Sequence, residues 1–239
     1  LSESGCPAPS NRILDALPPA DLHRLWPDLK PVELPFRQSI QTPGGPIAAA
    51  HFIESGFVSM IITLEDGDGA EVGLVGSEGV LGLPLVYGTD RSDIEGMVQH
   101  GGVALQLEAE AFTEALEWSP ALRRQVLLYA MAHHQQVART AACNGRHHTE
   151  QRLARWLLMA HDRAAGDRFT ITHELLSMML GVRRAGVTVA AGSLQRAGFI
   201  RYERGQLEIT NRQGLEAASC ECYAAVLQEA ERLAGRGSR

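Results

Sequence analysis

Residues 180–188 read LGVRRAGVT: a glycine, two adjacent arginines, then small residues, in a chain of 239 residues with net charge −6. An arginine pair alone decides little, because a solvated surface tolerates it, so the flanking pattern carries the reading. Upstream, FTITHELLSMML (169–180) offers Thr172 as a helix cap and places Leu175, Leu176, Met179 and Leu180 toward a core. Gly181 suits a turn that needs unusual backbone angles. Downstream, a second helix from about 183 to 197 buries Val187, Ala190 or Ala191, and Leu194, and stops at Gly198. FIRYERGQLEIT (199–210) alternates as a hairpin around Arg204-Gly205. Helix, glycine turn, helix and hairpin describe a winged helix-turn-helix.

Such a second helix meets the DNA major groove with its N-terminal turn. Arg183 and Arg184 sit where a guanidinium forks onto guanine O6/N7 or clamps a phosphate. Gly186, beside Ala185, lets the helix approach closely, and Thr188 lies one turn on from Arg184, with Gln195 further along that face. Thr172 and His173, with Arg201 and Arg204 of the wing, are the expected contacts to backbone phosphates. Charge supports the placement. Residues 1–148 hold 9 Lys+Arg against 18 Asp+Glu, a balance of −9, whereas residues 151–212 hold 10 against 5, or +5. A local basic excess is what phosphate binding requires.

Toward the N-terminus, EQRLARWLLMAHDR (150–163) reads as a helix with Thr149 as its cap, after a break at Asn144-Gly145. Before that break, residues 119–144 form one long helix. Leu122, Val126 and Tyr129 make one apolar stripe on it, and Leu127, Met131 and Ala138 a second, which calls for a partner chain. From about 31 to 107, short β-type runs alternate with Gly, Pro and Asp clusters, as an antiparallel sandwich or roll would. Two short helices, divided by Pro18-Pro19, open the chain at residues 11–29.

Enzyme signatures are missing: there is no phosphate-binding G-x-x-x-x-G-K-[ST], no G-x-G-x-x-G, no G-x-S-x-G and no H-E-x-x-H. No metal or cofactor is expected. His51 and His100 stand singly, and the adjacent pairs His133-His134 and His147-His148 diverge by about 100° on a helix. Cys143 and His147 are four apart, but the expected break at Asn144-Gly145 separates them, and two ligands are too few for structural zinc. Cys220 and Cys222 point apart if helical. Four cysteines, the lone N-terminal Cys6 included, make no disulfide framework and suit a reducing cytoplasm. No apolar run approaches the ~20 residues of a membrane span, and LSESGCPAPSNR has neither basic start nor apolar core for a secretory leader.

From about residue 20 to 225 the chain resembles the Crp/Fnr family of bacterial transcription regulators. FIESGFVSM (52–60), SPALRRQ (119–125), QRLARWLL (151–158) and residues 169–200 carry the resemblance. It implies an α+β fold: an N-terminal antiparallel β-roll of cyclic-nucleotide-binding type (1–118), a dimerisation helix (119–145) and a C-terminal winged helix-turn-helix (149–239). The implied function is a homodimeric, sequence-specific DNA-binding regulator, not an enzyme. Its implied partners are duplex DNA, RNA polymerase and an effector the sequence does not identify.

Departures qualify the resemblance. Relatives that read DNA in the best-known way place Ser-Arg-Glu after the turn, and another Arg one helical turn on. Here Arg183-Arg184-Ala185 and Val189 stand in those places, which implies a different operator. In the nucleotide pocket, relatives carry Gly-Glu and an Arg-Ser/Thr-Ala phosphate clamp. This chain has Gly79-Val80 and Arg91-Ser92-Asp93, with Ala138 where the long helix would touch the base, so cyclic AMP is not the expected ligand. The competing reading is a ligand-binding or catalytic roll whose C-terminal domain docks another protein.

Overall fold

The computed structural model describes residues 8–233; Cys6 lies outside them. Two short helices, α1 (Arg12–Asp15) and α2 (Pro19–Leu25), lead into strands β1 (Lys30–Leu34) and β2 (Ser39–Gln41), then β3 (Ala49–Thr63) and β4 (Gly69–Val75). After β5 (Val80–Leu81) and the one-turn α3 (Leu83–Val86), the long β6 (Glu95–Glu108) closes the sheet. All pairings are antiparallel, along the path β1-β6-β3-β4, with β2 on β6 and β5 on β3. The β3–β6 ladder slips register near Gly56. A Cβ there would sit 2.4 Å from the His100 carbonyl oxygen at φ +74°, so only glycine lets the strands close. Phe52, Ile53, Val58, Leu107 and Phe112 fill this roll. Phe112 comes from α4 (Ala109–Trp118), which covers the roll together with one face of α5 (Pro120–Arg146).

Helix α5 begins at Ser119, whose hydroxyl accepts from the Leu122 amide at 3.1 Å, and runs 27 residues, about 40 Å. It does not break at Asn144-Gly145. A single helical glycine costs only ~1 kcal/mol against alanine. Burial of Cys143, fully inside, holds the turn that contains it. The helix ends at His147, whose amide still donates to the Cys143 carbonyl at 3.0 Å. The cap of α6 (Thr149–His161) is therefore His148, not Thr149, which is already helical.

Helix α6 is buried on almost every side. It joins a second core in which Phe57, Ile61 and Leu74 of the roll meet Leu157, Leu176, Met179 and Val187. The C-terminal half is thus docked on the roll. Strand β7 (Arg168–Thr170), α7 (His173–Leu180), α8 (Arg184–Arg196), β8 (Ile200–Glu203) and β9 (Gln206–Ile209) follow. The three strands form a sheet in the order β7-β9-β8. The sequence pattern showed no strand at β7, because three residues give too short a period to detect.

Helix α9 (Arg212–Ala218) and α10 (Cys222–Leu233) end the described chain, and α10 returns along α5. Cys220 precedes α10 while Cys222 opens it, so the divergence expected of two helical thiols does not hold. Among the described residues no helix is long and apolar enough to cross a membrane.

Candidate nucleic-acid interface

Helix α7 is set by Thr172, whose hydroxyl accepts from the Leu175 amide at 3.1 Å. It ends at Gly181 in the left-handed region, φ 57° and ψ 45°, where a side chain would be strained. The chain re-enters a helix at Arg183, the cap residue of α8, and Arg184 is the first helical residue. Val187, Ala190, Ala191 and Leu194 bury one face of α8. Arg183, Arg184, Thr188 and Val189 are exposed on the other.

Two cations at a helix N-terminus oppose the helix dipole, at a cost of order 0.3–1 kcal/mol each. Neither has a carboxylate partner among the described residues. That arrangement favours an incoming anion, since the first-turn N–H groups of a helix add to the arginines' charge.

His173 supports this turn. Its Nδ1 lies 3.1 Å from Thr188 Oγ1, and its ring stacks on Tyr202 with centroids 4.6 Å apart. Burial, then the charge of Arg184, holds the His173 pKa below its ordinary value, and its Nε2 is buried without a partner among the described residues. Tyr202 was not singled out from sequence, although alternation along β8 turns it inward. Its hydroxyl donates to the Ile171 carbonyl at 2.7 Å, and its amide donates to Gln195 Oε1 at 2.8 Å. Gln195 therefore ties the wing to α8.

On the wing, Arg204 and Gly205 take φ of 50° and 80°, as a tight two-residue hairpin requires. Arg204 is exposed with no carboxylate partner among the described residues. Arg201 is paired with Glu208 at 3.0 Å, and Glu208 also takes Arg168 at 3.1 Å. A phosphate has to compete for Arg201 but not for Arg204. Gly186 has nothing within 4 Å of where a Cβ would stand, so no contact within the chain requires a glycine there.

The roll holds a cavity of about 220 Å³ between its sheet and α5, with Met60, Val80, Leu83, Ser92, Tyr129 and His133 in its lining. Of the four residues expected at a ligand pocket, Val80 and Ser92 line it and two do not. Gly79 is covered by Tyr129: a Cβ on it would meet the phenol ring at 2.2 Å. Arg91 is exposed and donates to the Gly44 carbonyl at 2.8 Å. Tyr129 Oη and His133 Nε2 are buried without partners among the described residues, and burial pushes the His133 pKa down to about 4. The cavity is mostly apolar, with Gln41 and Ser92 among its polar lining residues, while the Tyr129 hydroxyl and His133 Nε2 are buried in the wall around it.

Two glutamates join the roll to the C-terminal half. Glu71 on β4 accepts from Trp156 Nε1 at 2.8 Å and lies 2.6 Å from Ser59 Oγ. Burial pushes its pKa up to about 8. Glu78, on the turn after β4, is paired with Arg163 at 2.7 Å. Burial alone would raise its pKa, but the Arg163 guanidinium and backbone N–H donors together outweigh burial and hold it below its ordinary value.

Residues 151–218 match the family model of the Crp-like helix-turn-helix domain. The fold is shared with FixK2 from Bradyrhizobium japonicum over 80% of this chain and 98% of that one, at TM-score 0.68 and 16% identity. It is also shared with a CRP/FNR-family transcriptional regulator from Thermus thermophilus, at 0.65 and 20% over 80% and 98%. The c-di-GMP responsive global regulator CLP of Xanthomonas campestris gives 0.64 and 16% over 80% and 98%. Comparison with curated proteins finds no match.

Proposed function

We propose that this chain, whose residues 151–218 form a Crp-like helix-turn-helix domain on a Crp/Fnr fold, is a homodimeric, sequence-specific transcription regulator with an effector-sensing roll. The observation that carries this is the exposed Arg183-Arg184 pair at the start of α8, unpaired and set against its own helix dipole. Arg183 and Arg184 read base edges, Thr188 lies beside them, and Gly186 gives clearance. Thr172 and Arg204 hold phosphates, with Arg201 sharing its charge with Glu208, while His173, its Nε2 buried, braces Thr188 from within.

Dimerisation is supported by α5. Leu122, Val126 and Tyr129 are covered within the chain, while Leu127 and Met131 stay 47% and 43% exposed four residues apart. Two such side chains on one helix face suit a second copy of that helix. The cavity chemistry argues against cyclic AMP: Val80 offers no acceptor to a ribose, Arg91 is turned outward, and the lining is mostly apolar. An uncharged, largely apolar effector of modest size, with Gln41 and Ser92 beside it, fits better.

Selection of bound duplexes from a random pool, with sedimentation of the free protein, tests the proposal. Recovery of a two-fold symmetric site by a dimer supports it. A monomer at micromolar concentration, or recovery of no preferred sequence, contradicts it.

A further inference from the structure

At the junction of α5 with α6, four side chains from two distant segments converge. Cys143 and His147 come from the last turn of α5 and its cap, and Cys220 and Cys222 from the turn that opens α10. One ligand atom from each lies within 4.8 Å of all the others. Cys143 Sγ is 3.5 Å from Cys220 Sγ, and Cys222 Sγ is 3.7 Å from His147 Nδ1. Around a tetrahedral ion with bonds of about 2.3 Å to sulfur and about 2.0–2.1 Å to nitrogen, the ligand–ligand edges are about 3.8 and about 3.6 Å. The two close contacts already have nearly those lengths. All three thiols are buried.

We propose that Cys143, His147, Cys220 and Cys222 bind one zinc ion in a closed, structural site. Three further features support it. The far ring nitrogen of His147 faces Glu221 Oε1 at 3.3 Å. A ligand histidine usually donates its second N–H to such a group, which leaves Nδ1 free to bind the ion. Arg152 and Arg155, only 8% and 5% exposed, lie close enough for their charges to act on Cys143. They form no ion pair among the described residues: Arg152 donates to the Leu180 carbonyl and Arg155 to Thr140 Oγ1 at 2.9 Å, while both Nε atoms lack a partner. Three thiolates, a neutral histidine and Zn²⁺ make a unit of charge −1, which supplies the missing counter-charge.

The donor set also selects the metal. Thiolates with one imidazole in tetrahedral reach suit zinc, and four protein ligands leave no open position for catalysis. On binding, the three thiols release their protons, and His147 keeps its proton on Nε2 toward Glu221. The ion ties α10 to the end of α5, where the dimer helix passes into the DNA-binding half. Its loss loosens the C-terminal helix and the angle at that junction.

The test uses the full chain, purified without a metal-chelating tag from cells supplied with zinc. Metal content by mass spectrometry should be about one zinc per chain, with every cysteine reduced in the intact mass. Cobalt(II) exchanged into the site should give tetrahedral and thiolate charge-transfer bands. Cys143→Ser and Cys220→Ser should each lose the metal. Should those variants fail to fold, Glu221→Gln on the surface still bears on the site. It should bind zinc with affinity lower by about 10- to 100-fold while keeping its circular dichroism. Protein that neither holds zinc nor takes up cobalt, a Cys143–Cys220 disulfide in the intact mass, or parent-like affinity in Glu221→Gln would overturn the proposal.

Discussion

Most arginines of residues 151–212 fall into two populations, with the exposed Arg168 and Arg201, both paired with Glu208, between them. On the inward side, Arg163 is paired with Glu78, and Arg212 with Asp162 and Glu216. Arg152 and Arg155 are buried and donate to neighbouring oxygens. On the outward side, Arg183, Arg184 and Arg204 are exposed and have no carboxylate partner among the described residues. Arg196 is likewise unpaired, but it closes α8, where the helix dipole favours a cation. The net charge of the segment therefore mixes two jobs. The inward set holds the domain to its surroundings, and only the outward set is available to a polyanion. A basic balance points to DNA when the unpaired part of it gathers on one face.

Substitutions on the two sides should separate in kind as well as in size. Arg163→Met leaves the Glu78 carboxylate without its partner, and both side chains are mostly buried, at 11% and 23% exposure. Chemical denaturation should show a loss of about 3 kcal/mol, and limited proteolysis should find the two halves separated. Glu71→Gln acts at the same junction with the opposite sign. Between pH 4.5 and about 8 the folded state holds the Glu71 proton and the unfolded state does not. Stability therefore falls as pH rises through that window. An amide keeps an acceptor for Trp156 and a donor for Ser59 without titrating. The variant should gain on the order of 1–3 kcal/mol at pH 8, and its denaturation midpoint should vary less with pH than the parent's.

On the outward side, Arg184→Ala should leave folding unchanged and weaken the selected site by about 5- to 150-fold, with relaxed preference at one base pair. Arg204→Ala should have the smallest effect. It should weaken all duplexes alike and flatten the salt dependence by about one ion. If Arg204→Ala changed sequence preference instead, the wing would be reading bases and the division on the outward side would need redrawing.

How much of this was legible in the sequence depended on distance along the chain. The recognition unit lies within residues 169–210, so periodicity, caps and Gly181 placed its elements to within a residue or two. The buried face of α8 was legible for the same reason. The cap of α6 was misplaced by one residue, because Thr149 is the better capping type and only the extended backbone at His148 decides the matter. The junction was not legible. Trp156 and Glu71 are 85 residues apart, as are Arg163 and Glu78, and no local pattern couples them. The Cys–His cluster was hidden by a local rule correctly stated and wrongly weighed. Asn-Gly usually ends a helix, but here packing carries α5 past it. Arg91 and Gly79 illustrate the converse: the residue types of a ligand clamp are present, while the backbone turns one outward and Tyr129 covers the other.

The most direct measurement is binding of the parent and of an Arg183→Ala/Arg184→Ala variant to one selected duplex and one unrelated duplex, across a series of salt concentrations. The parent should prefer the selected duplex at every salt, with affinity for both falling steeply as salt rises. The double variant should fold and dimerise as the parent does, lose most of that preference, and show a shallower slope. A variant that keeps the parent's preference and slope would show that the arginine pair is a solvated surface feature and that α8 does not read DNA.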